Sequence, residues 1–415
     1  RQFAGTTVTI LIGQEGDDLG VKDKVGEIKR RFGIDLKYTA LGVGPLITKA
    51  NQNLQAPTSS YDAMMVLGFT VTQMVGGGFF TPLNSYLSKV PAGYDFPHDF
   101  PAGELEYVGY FDTKKQSFGG KTLYLIPGLH GGSVNFFYRK DLFKAAGLQV
   151  PKTWKQYLAA AEKLNTGGVS GNVMIAKSGD VSLFLVDWFT RFINRPGAKL
   201  MSGSPQKKNY TPRLTSPQSV AALQHMVDCV KFAPSGVLEY TFTEVSDAFS
   251  AGKTAMMLLW STIAGPVYNP KSSKVAKKAG VAVPPGGGKA VRGGWGMGIP
   301  KNAKNKDAAW TVITYLTSKE WERYQTAKYQ TDPTRNSTYN DAKLAKALPY
   351  LPTAGKVFQK SQILEIANVP ETFEMAGAAA EEFSAALAGS SSAAAACKKA
   401  NDRWIGILKK GGHLK

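Results

Sequence analysis

A tryptophan in a run of glycines is the residue of this sequence that is best suited to contact a ligand. Trp295 lies in the segment GGWGMGIP, between Gly294 and Gly296. Glycines offer no side chain that would cover an indole ring, so a flat face of a ligand can lie against it. The alternative is that the ring only packs a hinge. The pattern favours ligand contact, with Gly294 leaving room for the approach.

Further candidates follow predicted strands, because ligands of open α/β sheets bind beyond the carboxyl ends of the strands. Trp260, which ends the predicted strand AMMLLW, is the strongest of them after Trp295. A structural role stays open for each: a turn for the polar residues, core packing for the aromatic ones. The others carry amide, carboxyl, hydroxyl, imidazole, guanidinium or aromatic groups. Gln14, Glu15, Phe69 and Thr70 follow strands, whereas His130 and Arg335 lie in turns that contain Gly or Pro, and Asp187 and Trp188 lie in the apolar run FLVDWF.

The signatures of several chemistries are absent from the sequence. The four histidines are scattered, without the close spacing of a helical metal site. There is no G-x-x-x-x-G-K-[ST] phosphate loop and no G-x-S-x-G nucleophile turn. We therefore expect no metal, no cofactor and no enzymatic activity.

The charge balance is strongly basic. Lys and Arg number 50 against 31 Asp and Glu, a formal net charge of +19. No aromatic RNA-binding motif and no zinc-finger spacing accompanies this charge, so we expect no nucleic-acid partner. The simplest interpretation is a basic, solvated surface. The alternative is weak steering toward anionic ligands or acidic surfaces.

The elements that would position the candidates alternate in type. With 415 residues the chain is long enough for two domains. Strands are predicted at TTVTILIG, IDLKYTAL and YDAMMVLG, with a helix closed by Gly33 after the first and another before Pro57. This alternation predicts parallel strands with helices on both faces. The C-terminal part is predicted to be largely helical, and no apolar run approaches the ~20 residues of a membrane helix.

Four motifs resemble one family, and they come in that family's order. They are VNFFYRKDLFKAAGLQVPKTWKQYLAAAEKL, FSAGKTAMMLLWS, GGWGMGIPKNAKNKDAAWTVITYLTSKE and PTRNSTYND. The chain resembles the bacterial extracellular solute-binding proteins of family 1, the carriers of sugar importers of the ATP-binding cassette (ABC) class, to which maltose-binding protein belongs. Arg139 departs from the family, which usually has Asn there.

The resemblance implies an α/β, two-lobe periplasmic-binding-protein fold of type II, with a ligand cleft between lobes that are joined by a hinge. Chain crossings are expected near 128–132, 283–288 and 331–335, where Gly or Pro residues can absorb a backbone change. The first lobe would comprise residues 1–129 and 283–331, and the second would comprise residues 130–282 and 332–415.

The resemblance also implies a function. The chain would be the substrate-binding component of an ABC importer, which binds a carbohydrate or polyol, closes, and delivers it to the permease subunits. Trp295 would then cover the C–H face of a sugar ring. We expect a monomer in the periplasm, or tethered outside the cell. The sequence begins at Arg1 rather than Met, so we expect that a signal peptide has been removed.

Two other functions remain open. A carrier for an anionic sugar phosphate or phosphodiester would suit the net charge, although no Lys or Arg cluster lies on the selected strand-end loops. A carbohydrate-active hydrolase would need two carboxyl groups that face each other across the substrate. Glu15, Asp62 and Asp187 are candidate acids, but no motif pairs them. The ligand itself is not specified by the sequence.

The two cysteines leave a choice. Cys229 and Cys397 lie in predicted helices that the resemblance assigns to the second lobe. An oxidising compartment would favour a disulfide between neighbouring thiols. Two separate buried thiols are the alternative, since free Cys behaves as a small hydrophobic residue.

Overall fold

The computed structural model describes residues 2–14 and 16–415. Their packing divides the chain into two compact units, Arg1–Gly132 with Gly293–Pro352 and Ser133–Arg292 with Thr353–Lys415. The first crossing is close to the boundary predicted after residue 129. The other two differ from the predicted ranges, because residues 283–292 pack with the second unit and residues 332–352 with the first. The expected closure of the lobes on a ligand stays a prediction.

The strands and helices follow one another along the chain in three stretches. The stretch up to Gly132 contains β1 (Thr7–Gly13), α1 (Asp17–Phe32), β2 (Asp35–Leu41), α2 (Val43–Gln55), β3 (Ala63–Leu67), α3 (Val71–Met74), α4 (Ala102–Glu104), β4 (Tyr110–Asp112), β5 (Ser117–Leu123) and β6 (Leu125–Pro127). The stretch up to Arg292 contains β7 (Val134–Arg139), α5 (Lys140–Ala145), α6 (Trp154–Leu164), α7 (Phe189–Ile193), β8 (Met201–Ser202), β9 (Thr211–Pro212), α8 (Pro217–Val230), α9 (Phe242–Ser250), β10 (Met256–Trp260), α10 (Ala264–Tyr268) and β11 (Ala279–Ala282). The remainder contains β12 (Trp295–Gly298), α11 (Lys306–Leu316), α12 (Lys319–Tyr329), α13 (Asn336–Tyr339), α14 (Ala342–Ala347), α15 (Leu351–Lys360), α16 (Thr372–Leu387) and α17 (Ala393–Lys410).

The first unit contains a five-stranded sheet in the order β2-β1-β3-β12-β6. β1 pairs in parallel with β2 and β3, which confirms the predicted parallel strands. Every residue of β3 is buried, as expected for an apolar strand that is covered on both faces. β12 is antiparallel to both β3 and β6. The carboxyl ends of β1, β3 and β6 therefore lie at the same edge as the amino end of β12, and we call this the ligand edge.

Local sequence signals account for the end of α1, where it was predicted, and for the start of α6. Gly33 ends α1 in the left-handed conformation with φ 80°, and its N–H donates to the Lys29 carbonyl oxygen. This is the C-cap geometry that glycine adopts at low cost. At the start of α6 the Thr153 hydroxyl accepts from the Gln156 N–H, and the Gln156 side chain accepts in return from the Thr153 N–H. This reciprocal pair satisfies two donors at the helix end.

Buried side-chain bonds explain why residues 332–352 pack with the first unit. Arg335 is fully buried, and its guanidinium donates to the Asp99 carboxylate at 3.0 Å and to the Tyr94 and Thr317 carbonyl oxygens at 2.9 Å. The Arg335 N–H donates to the Glu322 carboxylate at 2.9 Å. The Pro-containing turn that was predicted as a crossing is thus held inside this unit by an interior guanidinium.

The second unit contains a three-stranded antiparallel sheet, β10-β7-β11, and an aromatic core. The Trp188 ring stacks on Phe192 with centroids 4.7 Å apart and on Phe184 at 5.0 Å, and the Trp404 ring meets Phe184 edge-on. Residues 283–292 join this unit through Asn194, which bonds to both the N–H and the carbonyl oxygen of Lys289.

The cysteines do not form a disulfide. Both thiols are buried and free. Cys397 Sγ lies 3.7 Å from the Ser219 hydroxyl, and Ser219 precedes Cys229 on α8 by ten residues, or about 15 Å along the helix axis. That distance is beyond the reach of a disulfide. The alternative of two separate buried thiols is confirmed.

No helix within residues 2–14 and 16–415 is long and apolar enough to span a membrane. Within the same residues there is no group of three or more His, Cys, Asp or Glu side chains that could hold a metal ion.

A buried polar chain crosses the core of the second unit. Arg191 Nη1 donates to the Asp187 carboxylate at 2.9 Å, and Arg191 Nε donates to His225 Nδ1 at 3.1 Å. His225 Nε2 lies 2.8 Å from the Trp154 carbonyl oxygen. Because arginine only donates and a carbonyl only accepts, the imidazole is neutral with its proton on Nε2. Burial, together with the nearby Arg191 charge, lowers the pKa of His225 to about 3.

This histidine makes stability depend on pH. Between pH 6.5 and about 3 the unfolded chain binds a proton at His225 that the folded protein does not bind. The contribution of the neutral His225 to the free energy of unfolding is therefore complete above pH 6.5. It is lost as the pH falls through this window. Denaturant unfolding should show about 2 kcal/mol less stability from this site at pH 5 than at pH 7.5. His225→Asn, which keeps an acceptor for Arg191, should have a correspondingly shallower pH dependence. Equal slopes in the two proteins would contradict this assignment.

Candidate functional site

The ligand edge brings together residues from three distant parts of the chain. Trp295 lies directly opposite Leu67 in the β3–β12 pairing. The Trp295 N–H donates to the His130 carbonyl oxygen at 2.9 Å, and the Trp295 carbonyl oxygen accepts from the Gly128 N–H at 3.0 Å. The candidate residues Phe69, His130 and Trp295, which are distant in sequence, therefore lie close together in the first unit.

The glycines around Trp295 have a packing role that was not predicted. Successive positions of a strand face opposite sides of the sheet. The positions of Gly294, Gly296 and Gly298 therefore face one side, and the side chains of Trp295 and Met297 lie on the other. A Cβ atom on Gly296 would overlap Val108 and Leu125, and one on Gly298 would overlap Leu125 and Phe80. The glycines admit neighbouring side chains rather than exposing the strand.

Trp295 is covered in the structure. The residue is only 5% exposed, and Met297 is fully buried. The expectation of a bare indole ring on an open glycine loop is therefore wrong. What remains a prediction is ligand contact by this ring at the amino end of β12.

Two glycines at the ligand edge make room for an acid and a phenol. The Gly68 N–H donates to the Gly294 carbonyl oxygen at 3.0 Å. A Cβ on Gly294 would overlap the Glu104 carboxylate, and a Cβ on Gly68 would overlap the Tyr107 ring. Glu104 is fully buried. The space beside Gly294 is thus filled by Glu104, whereas the sequence had assigned that space to a ligand.

Residues 69 and 70 are largely enclosed. Phe69 is 6% exposed, and its ring meets Tyr107 edge-on with centroids 6.2 Å apart. The Thr70 hydroxyl donates to the Leu67 carbonyl oxygen at 2.8 Å, which closes the turn after β3. Both residues lie at the ligand edge and both also serve the local packing.

A second acid lies at the start of α1. Asp17 is 1% exposed, and its Oδ1 accepts from Gln325 Nε2 at 2.6 Å, while Gln325 also donates to the Leu129 carbonyl oxygen at 3.1 Å. Asp17 Oδ2 lies 3.7 Å from His130 Nδ1. The amino end of a helix favours a negative charge, so α1 supports an ionised carboxylate there. His130 is thereby held next to Trp295.

Gln14 is exposed directly after β1, and its N–H donates to the Leu41 carbonyl oxygen at 3.1 Å. Its side chain is therefore accessible at the carboxyl end of β1. Glu15 lies outside the described residues.

In the second unit, Trp260 ends β10 and is half-buried. The next residue, Ser261, donates its N–H to the Ser133 carbonyl oxygen at 2.9 Å, and its hydroxyl accepts from the Ser133 N–H at 3.3 Å. Trp260 thus lies where β7 begins and β10 ends. Arg292, which was not selected from the sequence, pairs with Ser133 in an antiparallel bridge and is buried, with its guanidinium over the Phe358 ring.

Three of the candidate residues are buried and bonded to neighbouring groups within their own unit. Trp188 is enclosed by the aromatic core of the second unit and donates from its indole nitrogen to the Ser219 carbonyl oxygen. Asp187 is fully buried against Arg191, and Arg335 lies inside the first unit. Ligand contact by these three residues stays a prediction.

Asp62 and Asp187, the described carboxylates among those considered for hydrolysis, do not form a catalytic pair. The Asp62 carboxylate accepts from the backbone N–H groups of Thr9 and Asn305 at 3.1 and 2.9 Å, which joins β1 to the start of α11. Asp187 lies in the interior of the other unit. The acids that do share one edge, Asp17 and Glu104, were missed because their selection depends on folded proximity. For Asp17, the signal was an acid directly after the turn that follows β1.

Replacing Gly294 should show how tightly the ligand edge is packed. Gly294→Ala would push a methyl group into the Glu104 carboxylate at a backbone φ of 141°, so we expect a loss of about 1–3 kcal/mol in denaturant unfolding. Gly26→Ala is the matched control, because Gly26 is exposed within α1 with no atom nearby, and it should gain about 0.5–1 kcal/mol. A neutral Gly294→Ala would refute the described packing.

Comparison with known proteins adds the family context. The model for the family described as bacterial extracellular solute-binding protein matches residues 16–323. A mannitol-binding protein of Pseudomonas aeruginosa is 28% identical over 322 residues, which is 71% of each chain. A protein of Sinorhizobium fredii named as a probable amino-acid ABC transporter periplasmic-binding protein is 27% identical, over 76% of this chain and 70% of that one.

A solved structure resembles the whole chain. It is an ABC transporter solute-binding protein from Agrobacterium radiobacter in complex with ribitol, with a TM-score of 0.81 and 25% sequence identity. The superposition covers 97% of this chain and 99% of the other. The predicted α/β fold of the two-lobe solute-binding class is confirmed by this match.

Proposed function

The chain belongs to the bacterial extracellular solute-binding protein family, and on that premise we propose that its solute is an acyclic polyol. Its general role is that of the substrate-binding component of an ABC importer, which takes up sugars or polyols. As a member of an extracellular family it is expected to be exported. We further propose that it acts as a monomer in the periplasm or at the outer face of the membrane, that it hands the solute to the permease subunits, and that it is not an enzyme.

The ligand edge of the first unit carries this proposal. An indole and two buried carboxylates, those of Asp17 and Glu104, belong to one edge of the sheet. A polyol presents hydroxyl groups that donate to carboxylates and a C–H backbone that can lie against an aromatic ring. Hydrogen bonds to ionised acceptors are stronger than those between neutral groups. Polyols are also the ligands named for the Pseudomonas and Agrobacterium relatives.

The same carboxylates disfavour an anionic solute. A phosphate group near the Asp17 carboxylate would meet like charge in a buried setting, where Coulomb repulsion is poorly screened. The charge of +19 therefore does not by itself support a sugar phosphate or phosphodiester as the solute. An amino acid is the stronger competitor, because its ammonium group would suit the two acids and one relative is named for amino acids.

A binding screen distinguishes these classes. Thermal unfolding of the intact protein should be measured with ribitol, mannitol, maltose, glycerol 3-phosphate and a mixture of amino acids, and each positive result should be confirmed by calorimetry. Any solute that binds only the native state raises the melting temperature. We expect the acyclic polyols to give the largest shifts. A shift with amino acids or glycerol 3-phosphate alone would overturn the polyol assignment.

Two substitutions on the same strand separate ligand contact from packing. Trp295→Ala should weaken binding of the best polyol by about 1–3 kcal/mol in calorimetry, because an aromatic contact is lost at the amino end of β12. Met297→Ala is the matched control, two residues further along on the same face and fully buried. It should lower stability by about 2–5 kcal/mol and leave the affinity of the folded protein unchanged. Equal effects of the two changes on affinity would argue for a packing role of Trp295.

A further inference from the structure

The last residues of the chain form part of a small sheet-like surface in the second unit. The Lys415 N–H donates to the Lys208 carbonyl oxygen at 3.1 Å, and Asn209 pairs with Leu414 in an antiparallel bridge. The chain reaches this position by folding back at the end of α17, where the His413 N–H donates to the Leu408 carbonyl oxygen at 2.8 Å. The segment between β8 and β9 and the end of the chain therefore lie side by side.

This pairing gathers lysines that are about two hundred residues apart in sequence. We call the set the lysine patch, and all of its members are exposed. Within the described part of the chain, none of them forms an ion pair with a carboxylate. The members of the lysine patch are Lys207, Lys208, Lys409, Lys410 and Lys415.

Glu371 and Glu374 are acidic groups that lie near the patch. Glu371 is engaged by His413, whose Nε2 lies 3.0 Å from its carboxylate. Glu374 lines the surface groove that Lys410 also lines. By contrast, Lys398 further up α17 is paired with Asp402 at 2.6 Å. The patch thus differs from an ordinary charged helix surface, where lysines alternate with acids.

The electrostatics of the α17 helix end explain only two of the five lysines in the lysine patch. The carboxyl end of α17 favours Lys409 and Lys410, because the helix dipole is negative there. That effect does not extend to Lys207, Lys208 and Lys415, which the chain places beside them. Concentrating like charge raises the free energy of the folded protein unless an anionic partner is present.

We propose that the lysine patch docks the second unit on the anionic phospholipid headgroups of a membrane. The importer that this family serves is embedded in a membrane, so such a surface is within reach of the protein. Lysines near an anionic bilayer contribute roughly additively and without defined pairing geometry, which fits five exposed lysines on chain segments that lie side by side. The proposal rests on family membership and is independent of the solute, and it gives a role to the basic charge that solute binding does not use.

Vesicle sedimentation tests the proposal. The full chain should co-sediment with vesicles of phosphatidylcholine that contain about a quarter phosphatidylglycerol, and not with phosphatidylcholine alone. Added NaCl should weaken this binding, because the interaction is screened. Neutralising one lysine should weaken it roughly fivefold, so K207Q/K208Q/K410Q should lose on the order of 100-fold in partition coefficient.

The matched control removes three lysines elsewhere in the same unit. K271Q/K274Q/K277Q alters exposed positions between α10 and β11 and lowers the net charge by the same amount. It should retain nearly all vesicle binding, and both variants should keep wild-type affinity for the solute. Equal losses in the two variants would overturn the proposal in favour of overall charge. The proposal would also be overturned if the wild type did not bind the anionic vesicles or bound neutral vesicles equally well. Equally tight binding to duplex DNA at the same phosphate concentration would overturn it too.

Discussion

The first unit depends on the insertion of one late strand into a sheet built by the beginning of the chain. β12 pairs on one side with β3 and on the other with β6, so a segment near residue 297 joins strands that are formed before residue 128. Both pairings share one register, in which Gly298 lies opposite Met64 and Leu125. Because β12 is antiparallel to both neighbours, its first residue comes to the edge where their last residues are. That constraint creates the ligand edge.

Close packing around β12 explains the unusual composition of the segment. The glycines on one side receive Glu104, Val108, Leu125 and Phe80, and the two large residues on the other side are buried. An acid that is fully buried beside a glycine is held there by the shape of its surroundings. The same glycines that allow tight packing therefore also place the Glu104 carboxyl group beside Gly294, at the ligand edge.

The sequence predicted those features of the fold that depend on local patterns of residues. The alternation of strands and helices identified β1 to β3 as parallel, and Gly33 marked the end of α1, where its N–H donates to a helix carbonyl oxygen. Four motifs in order identified the family, which the match over residues 16–323 establishes. These features depend on neighbours in sequence or on motifs that the family preserves together.

The surroundings of several residues were not anticipated, because their partners are distant in sequence or were overlooked. Arg335 pairs with Asp99, which lies more than two hundred residues earlier, so the turn at Arg335 gave no sign of being interior. The environment of Asp187 was open to prediction: it lies in the apolar run FLVDWF, with Arg191 four residues later, a spacing that places both on one helix face. For Gly294, only the fold reveals that Glu104 occupies the space beside it.

Fluorine NMR of protein labelled with 5-fluorotryptophan tests most directly whether the ligand edge binds the solute. The chain has seven tryptophans, and Trp295→Phe assigns the resonance of interest. On titration with the polyol that binds best, the Trp295 resonance should shift in proportion to occupancy, while those of Trp188 and Trp404, in the core of the second unit, should stay in place. A saturating polyol that leaves the Trp295 resonance unmoved would contradict the account.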